Sequence, residues 1–410
     1  MRTLVIAGEY PWPTTTGSRL RLAMVVRGLR RCGPTELFSV ISRFREDVDP
    51  PDEELGLDRV GRVGFDNRTP SGLALVPTLV RPGMPLGLPW HDRAVVQRAL
   101  VRFMSGRYDL VWFYRPRPWV LAGEPVFAPT VLDLDDLEDE KIRTRMDAPR
   151  PAPAGAWDRL RRIGADLVSE EEIRRWRRLH RHAGGAVDAV VLCSALDARR
   201  AITAGVGRVR VIANGYPVVT DPVGRSTVGS PPTVMFQGLL TYPANIDAAR
   251  WLVTEVGPAL RERVPDVEIR LVGPAPPSLD ELDDPPRVTV TGRVPDMAAE
   301  LARADLVVVP IRYGSGTRLK ILEAFAQRVP VVSTTLGAEG LGAEDGVHLL
   351  IADTPPALAE ACARLLGDPG LRRALVARAE ALFLQRFSSE VIEEEIAGLA
   401  REVAGLPHLT

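Results

Sequence analysis

The chain has 410 residues, 45% hydrophobic and 26% charged, enough to bury the cores of two or three domains. A formal charge of −1 excludes bulk attraction to nucleic acid, and five scattered histidines with Cys32, Cys193 and Cys362 far apart give no metal-ligand spacing and fit a reducing compartment. The apolar start Leu4–Ala7 is too short for a signal-peptide core and no run approaches the ~20 apolar residues of a membrane helix, so the expectation is a cytoplasmic protein.

Short β-branched runs alternate with helical patterns throughout, which predicts two α/β domains with parallel sheets and crossover helices. In the first half, strands are predicted at Leu4–Ala7, Glu36–Ile41, Leu110–Phe113, Thr130–Leu134, Ala189–Cys193 and Val209–Ala213. Helices fall near 18–31, 92–105, 157–183 and 195–204. The turn Asn214-Gly215-Tyr216-Pro217 and the Pro/Gly/Ser-rich stretch to Pro232 mark a linker. Strands follow at Thr233–Gln237, Val267–Val272, Arg287–Thr291, Asp305–Pro310, Val329–Ser333 and His348–Ala352. Helices near 245–263, 296–303, 317–328, 356–366 and 370–386 separate them. This divides the chain into residues 1–214 and 215–387, with a last helix at about 388–410 that can pack back on the first domain. Two such sheets facing a central cleft would bind ligands outside the carboxyl ends of their strands.

The segment richest in chemistry runs from Pro310 to Phe325. A buried strand ends, the loop Gly314-Ser315-Gly316-Thr317 follows, and a helix is expected near Thr317. Glycine lets backbone approach a ligand, and the N–H groups of a helix start favour an anion. Arg318 and Lys320 add positive charge. Lys141 and Lys320 are the only lysines among 52 basic residues, a ratio that coding bias explains. Gly316, Lys320 and Glu323 share one helix face, which suits a diphosphate cradle with a carboxylate placed for ribose hydroxyls. The same spacing also fits a capped helix with a solvated Lys–Glu pair.

In the first half, Pro13–Arg21 follows the first strand and opens a helix through Gly17, Ser18 and Arg19, which also reads as ordinary capping. The acidic run Asp133, Asp135, Asp136, Glu138, Asp139, Glu140 ends another strand and needs cationic or hydroxylic partners. Asp135 and Asp136 are candidates to accept a hydrogen bond from a ligand hydroxyl, or to cap a helix. The basic stretch Arg174–Arg181 reads as a solvated face with Glu170–Glu172 as partners, and it admits peripheral contact with an anionic membrane. The apolar segment Gly72–Trp90 reads as core packing or part of a substrate pocket.

The Pro310–Phe325 segment resembles the donor-site motif of glycosyltransferase family 4, Glu-x7-Glu, with Glu323 as the second Glu. The first Glu falls at Ser315, so the form Gly-Ser-Gly-Thr-Arg-Leu-Lys-Ile-Leu-Glu-Ala is similar to a bacterial subgroup that lacks it. Val211–Gly215, Leu271–Pro274, Val290–Asp296, Glu339–Leu341 and Gly346–Leu350 match further segments of the family in order. The resemblance implies a GT-B fold: two Rossmann-like domains, acceptor-binding first and nucleotide-sugar-binding second.

It further implies a retaining glycosyltransferase that needs no metal or cofactor, with a nucleotide-diphosphate sugar as co-substrate and a hydroxyl acceptor on a polysaccharide, glycolipid or natural product. Glu323, Gly238, Gly273, Arg293 and Val294 would line the nucleotide. Gly17, Ser18, Arg19, Gly314, Ser315, Gly316, Thr317, Arg318 and Lys320 would hold the diphosphate. Arg318, Lys320 and Asp135 would serve catalysis. The cations that the family places after the first strand of the second domain are missing from Phe236–Asn245, so Arg318 and Lys320 are expected to replace them. Two alternatives stand: a non-catalytic sugar-nucleotide-binding partner protein, and a sugar-nucleotide epimerase of the same architecture. A paired-Rossmann dehydrogenase is disfavoured, since no Gly-x-Gly-x-x-Gly follows the first strand.

Overall fold

The computed structural model describes residues 1–42, 55–65, 84–86, 88, 92–125, 127–148, 150, 153–222, 231–314, 316 and 319–406. The chain forms two compact units, Met1–Ala213 with Ile392–Thr410, and Asn214–Val391.

The first unit is built on a parallel sheet. Its strands are β1 (Thr3–Ala7), β2 (Thr35–Ser42), β3 (Arg59–Phe65), β4 (Leu110–Tyr114), β5 (Thr130–Asp135), β6 (Ala189–Leu192) and β7 (Val209–Val211). They lie in the order β3-β2-β1-β4-β5-β6-β7. β1 sits between β2 and β4, with Val5 opposite both Leu37 and Trp112. Every residue of β1 and β4 is buried, as continuous apolar runs demand when helices cover both faces of a sheet. The helices are α1 (Gly17–Arg30), α2 (Arg93–Phe103), α3 (Pro116–Ala122), α4 (Glu138–Asp147), α5 (Ala156–Ala186) and α6 (Ala195–Thr203).

In the second unit the strands are β8 (Thr233–Gln237), β9 (Glu268–Val272), β10 (Val288–Gly292), β11 (Leu306–Val309), β12 (Val331–Ser333) and β13 (Leu350–Ile351), all parallel. Their order is β10-β9-β8-β11-β12-β13. The helices are α7 (Pro243–Trp251), α8 (Gly257–Arg261), α9 (Met297–Leu301), α10 (Leu319–Ala326), α11 (Pro355–Gly367), α12 (Pro369–Arg386) and α13 (Ser389–Val403). The helix expected over 245–263 is interrupted. A π-helical turn at Leu252–Val256 joins α7 to α8, and Gly257 N–H donates to Leu252 O. Pro258 has no N–H to continue an α ladder, and the wider turn absorbs the mismatch.

Numbered within each unit, both sheets have the order 3-2-1-4-5-6 of doubly wound folds, with a seventh strand added at the end of the first. That order reverses between β1 and β4 in the first unit, and between β8 and β11 in the second. The crevice at the carboxyl ends of such a strand pair is where ligands bind.

From Ile392 onward α13 belongs to the first unit. Arg31, just past α1, pairs with Glu393 at 2.8 Å and Glu394 at 3.1 Å. The Cys32 thiol lies 3.5 Å from Ala397 O, and Ile392, Ile396, Ala397 and Ala400 are buried.

Candidate functional site

In the second unit the reversal falls between Gly238, which follows β8, and the loop from β11 to α10. The turns after β8, β9 and β10 stack backbone on backbone. Gly238 N–H donates to Val272 O at 2.9 Å and Gly273 N–H to Gly292 O at 3.0 Å. A Cβ at Gly273 would collide with the Gly238 carbonyl, and both residues have positive φ, so only glycine fits there. Of the other predicted nucleotide residues, Arg293 is exposed and Val294 half-buried, both just past Gly292.

α10 then brings two ionisable groups to the end of β8. Lys320 Nζ donates to Asn245 Oδ1 at 2.8 Å and sits 4.7 Å from the centroid of the Phe236 ring. Asn245 Nδ2 in turn donates to Leu239 O at 2.7 Å, so the ammonium is tied to the segment that carries no cation of its own. A Cβ at Gly238 would lie 3.4 Å from Lys320 Cε, which places the lysine stem beside that turn.

One turn on, Glu323 Oε1 accepts from the Tyr216 hydroxyl at 2.8 Å. Gln237 Nε2 donates to Lys320 O at 3.1 Å and lies 3.4 Å from Glu323 Oε2. Tyr216 is itself fixed through its backbone, donating to Phe387 O and accepting from Ser389 N, both at 2.9 Å. Burial raises the Glu323 carboxyl above its ordinary value, against the opposing pull of Tyr216, Gln237 and Lys320. The Gln237 Oε1 atom is buried with no hydrogen-bond partner.

Structure brings Gly238, Gly273, Lys320 and Glu323 together in this unit. Gly314 is buried and Gly316 half-buried in the loop before α10. Ser315, Thr317 and Arg318 lie outside the described residues, so the expected helix start at Thr317 does too. Arg312, the other cation of this loop, is committed elsewhere. It grips Asp247 through two bonds, 2.9 and 2.5 Å, and lies 5.0 Å from the centroid of the Trp251 ring.

The first unit holds a separate cluster at its own reversal point. Thr16 caps α1 through Arg19 N–H. Gly17, Ser18 and Arg19 are half-buried in the first turn, with Ser18 O accepting from the Tyr114 hydroxyl at 2.9 Å and Arg19 paired with Glu9 at 3.5 Å. Deeper on α1, Arg21 is 2% exposed and forks onto Asp133 at 3.0 Å, while donating to Ile212 O and Ala213 O. Burial works against the guanidinium, but Asp133 and Asp135 hold its pKa above the ordinary value.

The acidic run finds the cationic partners it needs. Asp135 Oδ2 pairs with Arg115 at 2.6 Å and Oδ1 lies 3.8 Å from Arg21. Asp136 pairs with Lys141 at 2.6 Å and with Arg115 at 3.2 Å. Neither caps α4, whose N-cap is Leu137 with no side-chain bond. An ionised carboxylate oxygen can accept more than one hydrogen bond.

The basic stretch on α5 divides by face. Arg175 is buried against Glu171 and donates to Met84 O at 3.1 Å. Arg177 pairs with Asp139 at 2.9 Å, and His180 lies 3.3 Å from the same carboxylate. Arg174, Arg178 and Arg181 are exposed. Gly72–Trp90 lies mostly outside the described residues. Among the described residues no group of three or more His, Cys, Asp or Glu is arranged to hold a metal ion, and no helix is long and apolar enough to cross a membrane.

Sequence reasoning passed over Arg21, Arg115, Tyr216, Gln237 and Asn245. Only Tyr216, in a Gly-Tyr-Pro turn, carried a local signal, and it pointed to a linker.

Residues 231–368 match the family described as Glycosyl transferases group 1. An α-D-kanosaminyltransferase from Streptomyces kanamyceticus is 32% identical over 142 residues, which is 32% of this chain and 36% of that protein. An uncharacterised 44.6 kDa protein of the cps region of Klebsiella pneumoniae is 27% identical over 129 residues, 29% of this chain and 33% of its own. The matched stretch thus spans about a third of the length of each curated relative.

Solved structures are similar over nearly the whole chain. Anabaena Alr3699/HepE in complex with UDP and glucose superposes with TM-score 0.65 at 20% identity, covering 97% of this chain and 98% of that one. Sucrose-phosphate synthase from Thermosynechococcus elongatus gives 0.68 at 16% identity, covering 99% and 100%. The fold is GT-B, two Rossmann-like units with parallel sheets of seven and six strands.

Proposed function

We propose that the protein is a retaining, metal-independent glycosyltransferase that moves a sugar from a nucleotide-diphosphate donor to a hydroxyl acceptor. One observation carries the reading: Lys320 and Glu323 project from one helix onto the end of β8, at the strand-order reversal of the second unit. In this reading the ammonium faces a phosphate and the carboxylate accepts from the ribose hydroxyls, with Gly238, Gly273, Arg293 and Val294 along the nucleotide. Arg318 joins Lys320 against the diphosphate, together with Gly314, Ser315, Gly316 and Thr317. The first unit takes the acceptor, and Asp135 and Asp136 orient its hydroxyl. UDP is the first nucleotide to try, because HepE was solved with it.

Chemically, the acceptor oxygen attacks the anomeric carbon from the face the diphosphate leaves. The bond from that carbon to the phosphate oxygen breaks, and the acceptor proton passes to a phosphate oxygen, so no protein base is consumed. The protein stabilises charge building on the leaving diphosphate. Losing one cation from such a contact costs about 1.5–3 kcal/mol, roughly ten- to a hundredfold in affinity.

Calorimetric titration with UDP, GDP and dTDP tests this. One of them should bind. Lys320→Met should weaken that nucleotide and inorganic diphosphate together. Glu323→Ala should weaken the nucleotide while leaving inorganic diphosphate unchanged. If none binds, or neither substitution alters binding, the assignment fails. Tight donor binding with no transfer across a broad acceptor panel would favour a non-catalytic binding protein.

A further inference from the structure

The first half of α5 leaves an apolar stripe uncovered. Trp157 is 86% exposed, Leu160 60%, Ile163 52%, Leu167 66% and Val168 56%. Their spacing of three and four places them on one helix face. That face exposes on the order of 600 Å² of apolar side chain, at the upper end of what a monomer shows in one patch. In the second half of the same helix, Ile173, Trp176 and Leu179 are buried, so the stripe is not the face α5 uses to pack on its own unit.

We infer that this stripe is a dimer interface, covered by the same stripe of a second copy running antiparallel about Gly164. Charge supplies the first reason. Residues 156–163 carry Asp158 against Arg159, Arg161 and Arg162, whereas residues 164–172 carry Asp166, Glu170, Glu171 and Glu172 with no cation. An antiparallel copy sets each basic half against an acidic half.

Two of these charges are placed for it. Arg159 and Glu170 have no ion pair among the described residues, and eleven positions apart they lie on the same flank of the stripe. A two-fold axis brings a flank onto the same flank of the partner, so Arg159 meets Glu170 of the second copy twice over. Steric fit is the second reason. At Gly164 nothing lies within 4 Å of the point where a Cβ would stand, which leaves a notch at the axis for Ile163 of the second copy, while Leu160 faces Leu167. Area is the third, since the stripe with its polar margins approaches the roughly 800 Å² per partner of a stable interface. Such isologous pairs are the commonest oligomers.

Light scattering of the full chain after size exclusion, at tens of micromolar, should give twice the chain mass. The double variant L160E/L167E should be monomeric with an unchanged circular dichroism spectrum, because both leucines are already exposed. Arg159→Glu should raise the dimer dissociation constant at least tenfold, and adding Glu170→Arg should restore it. That rescue separates a second copy from a lipid surface or from the chain's own residues 66–83. A monomeric wild type overturns the proposal, as does a dimer that survives L160E/L167E. Sedimentation of a monomeric wild type with phosphatidylserine vesicles would assign the stripe to lipid instead. Mass is read without nucleotide, so failure here leaves the proposed glycosyl transfer untouched.

Discussion

Glu323 shows how a single residue can be read from sequence while its setting is not. The carboxylate follows the Gly-Ser-Gly-Thr loop at motif spacing, and Lys320 stands three places before it. What tunes it lies far off: the Tyr216 hydroxyl that bonds it is 107 residues away along the chain. No local pattern announces such a contact. The same holds for Asn245, which ties down Lys320 from 75 positions away.

The raised pKa of Glu323 gives a prediction with a definite sign. In the proposed role Glu323 accepts from the ribose as a carboxylate, so nucleotide affinity should fall with pH as a carboxyl held above its ordinary value takes up its proton. Tyr216→Phe removes a donor to the charged form and raises the pKa further. Titration calorimetry as a function of pH, with inorganic diphosphate as the reference ligand, should show the acid limb of nucleotide binding displaced to higher pH in this variant, and an unmoved limb would refute the role given to Tyr216. Stability of the free protein runs the other way. A folded-state pKa above the unfolded one means the native state binds the proton more tightly, so Glu323 favours folding below that pKa and loses this contribution as pH rises through it.

Secondary elements were legible where burial wrote them plainly. β1, β4 and β8 are largely apolar and buried at every residue, and their predicted positions hold to within a residue. β3 escaped notice because Arg-Val-Gly-Arg-Val-Gly-Phe sits at a sheet edge, mostly half-buried, with two glycines and two arginines. α3 opens on Pro116 with Pro118 close behind, which reads as a break although proline is tolerated in a first helical turn. α4, Glu-Asp-Glu-Lys-Ile-Arg-Thr-Arg-Met-Asp, has almost no apolar stripe to reveal it.

Packing among elements depends on Arg21, which joins α1 to β5 and to the carbonyls of Ile212 and Ala213. Removing one partner of a buried pair strands the other charge. Arg21→Met should therefore cost about 3–5 kcal/mol in urea unfolding. Adding Asp133→Asn should recover part of that loss. A cost under ~1 kcal/mol for the single variant would show that Asp133 is not charged in the fold.

At the level of the whole chain, the sequence conveyed two doubly wound units because each repeats the same alternation of strand and helix, with a Pro/Gly-rich stretch between. Their separate cores carry a thermodynamic expectation. Scanning calorimetry should resolve two transitions, and a bound nucleoside diphosphate should stabilise the second unit by about 2.7 kcal/mol at a hundredfold excess over Kd. Equal displacement of both transitions would place the nucleotide outside the second unit alone.

The return of α13 to the first unit has a further effect, on the order of events at the ribosome. Everything from Asn214 to Val391 is made before Ile392 and Ile396 exist to cover their share of α1's surroundings. At roughly 5–20 residues per second, that interval lasts on the order of ten to forty seconds. For that time the nascent first unit stands with a seam open, exposed to chaperones and proteases, while the later-born unit is free to fold ahead of it.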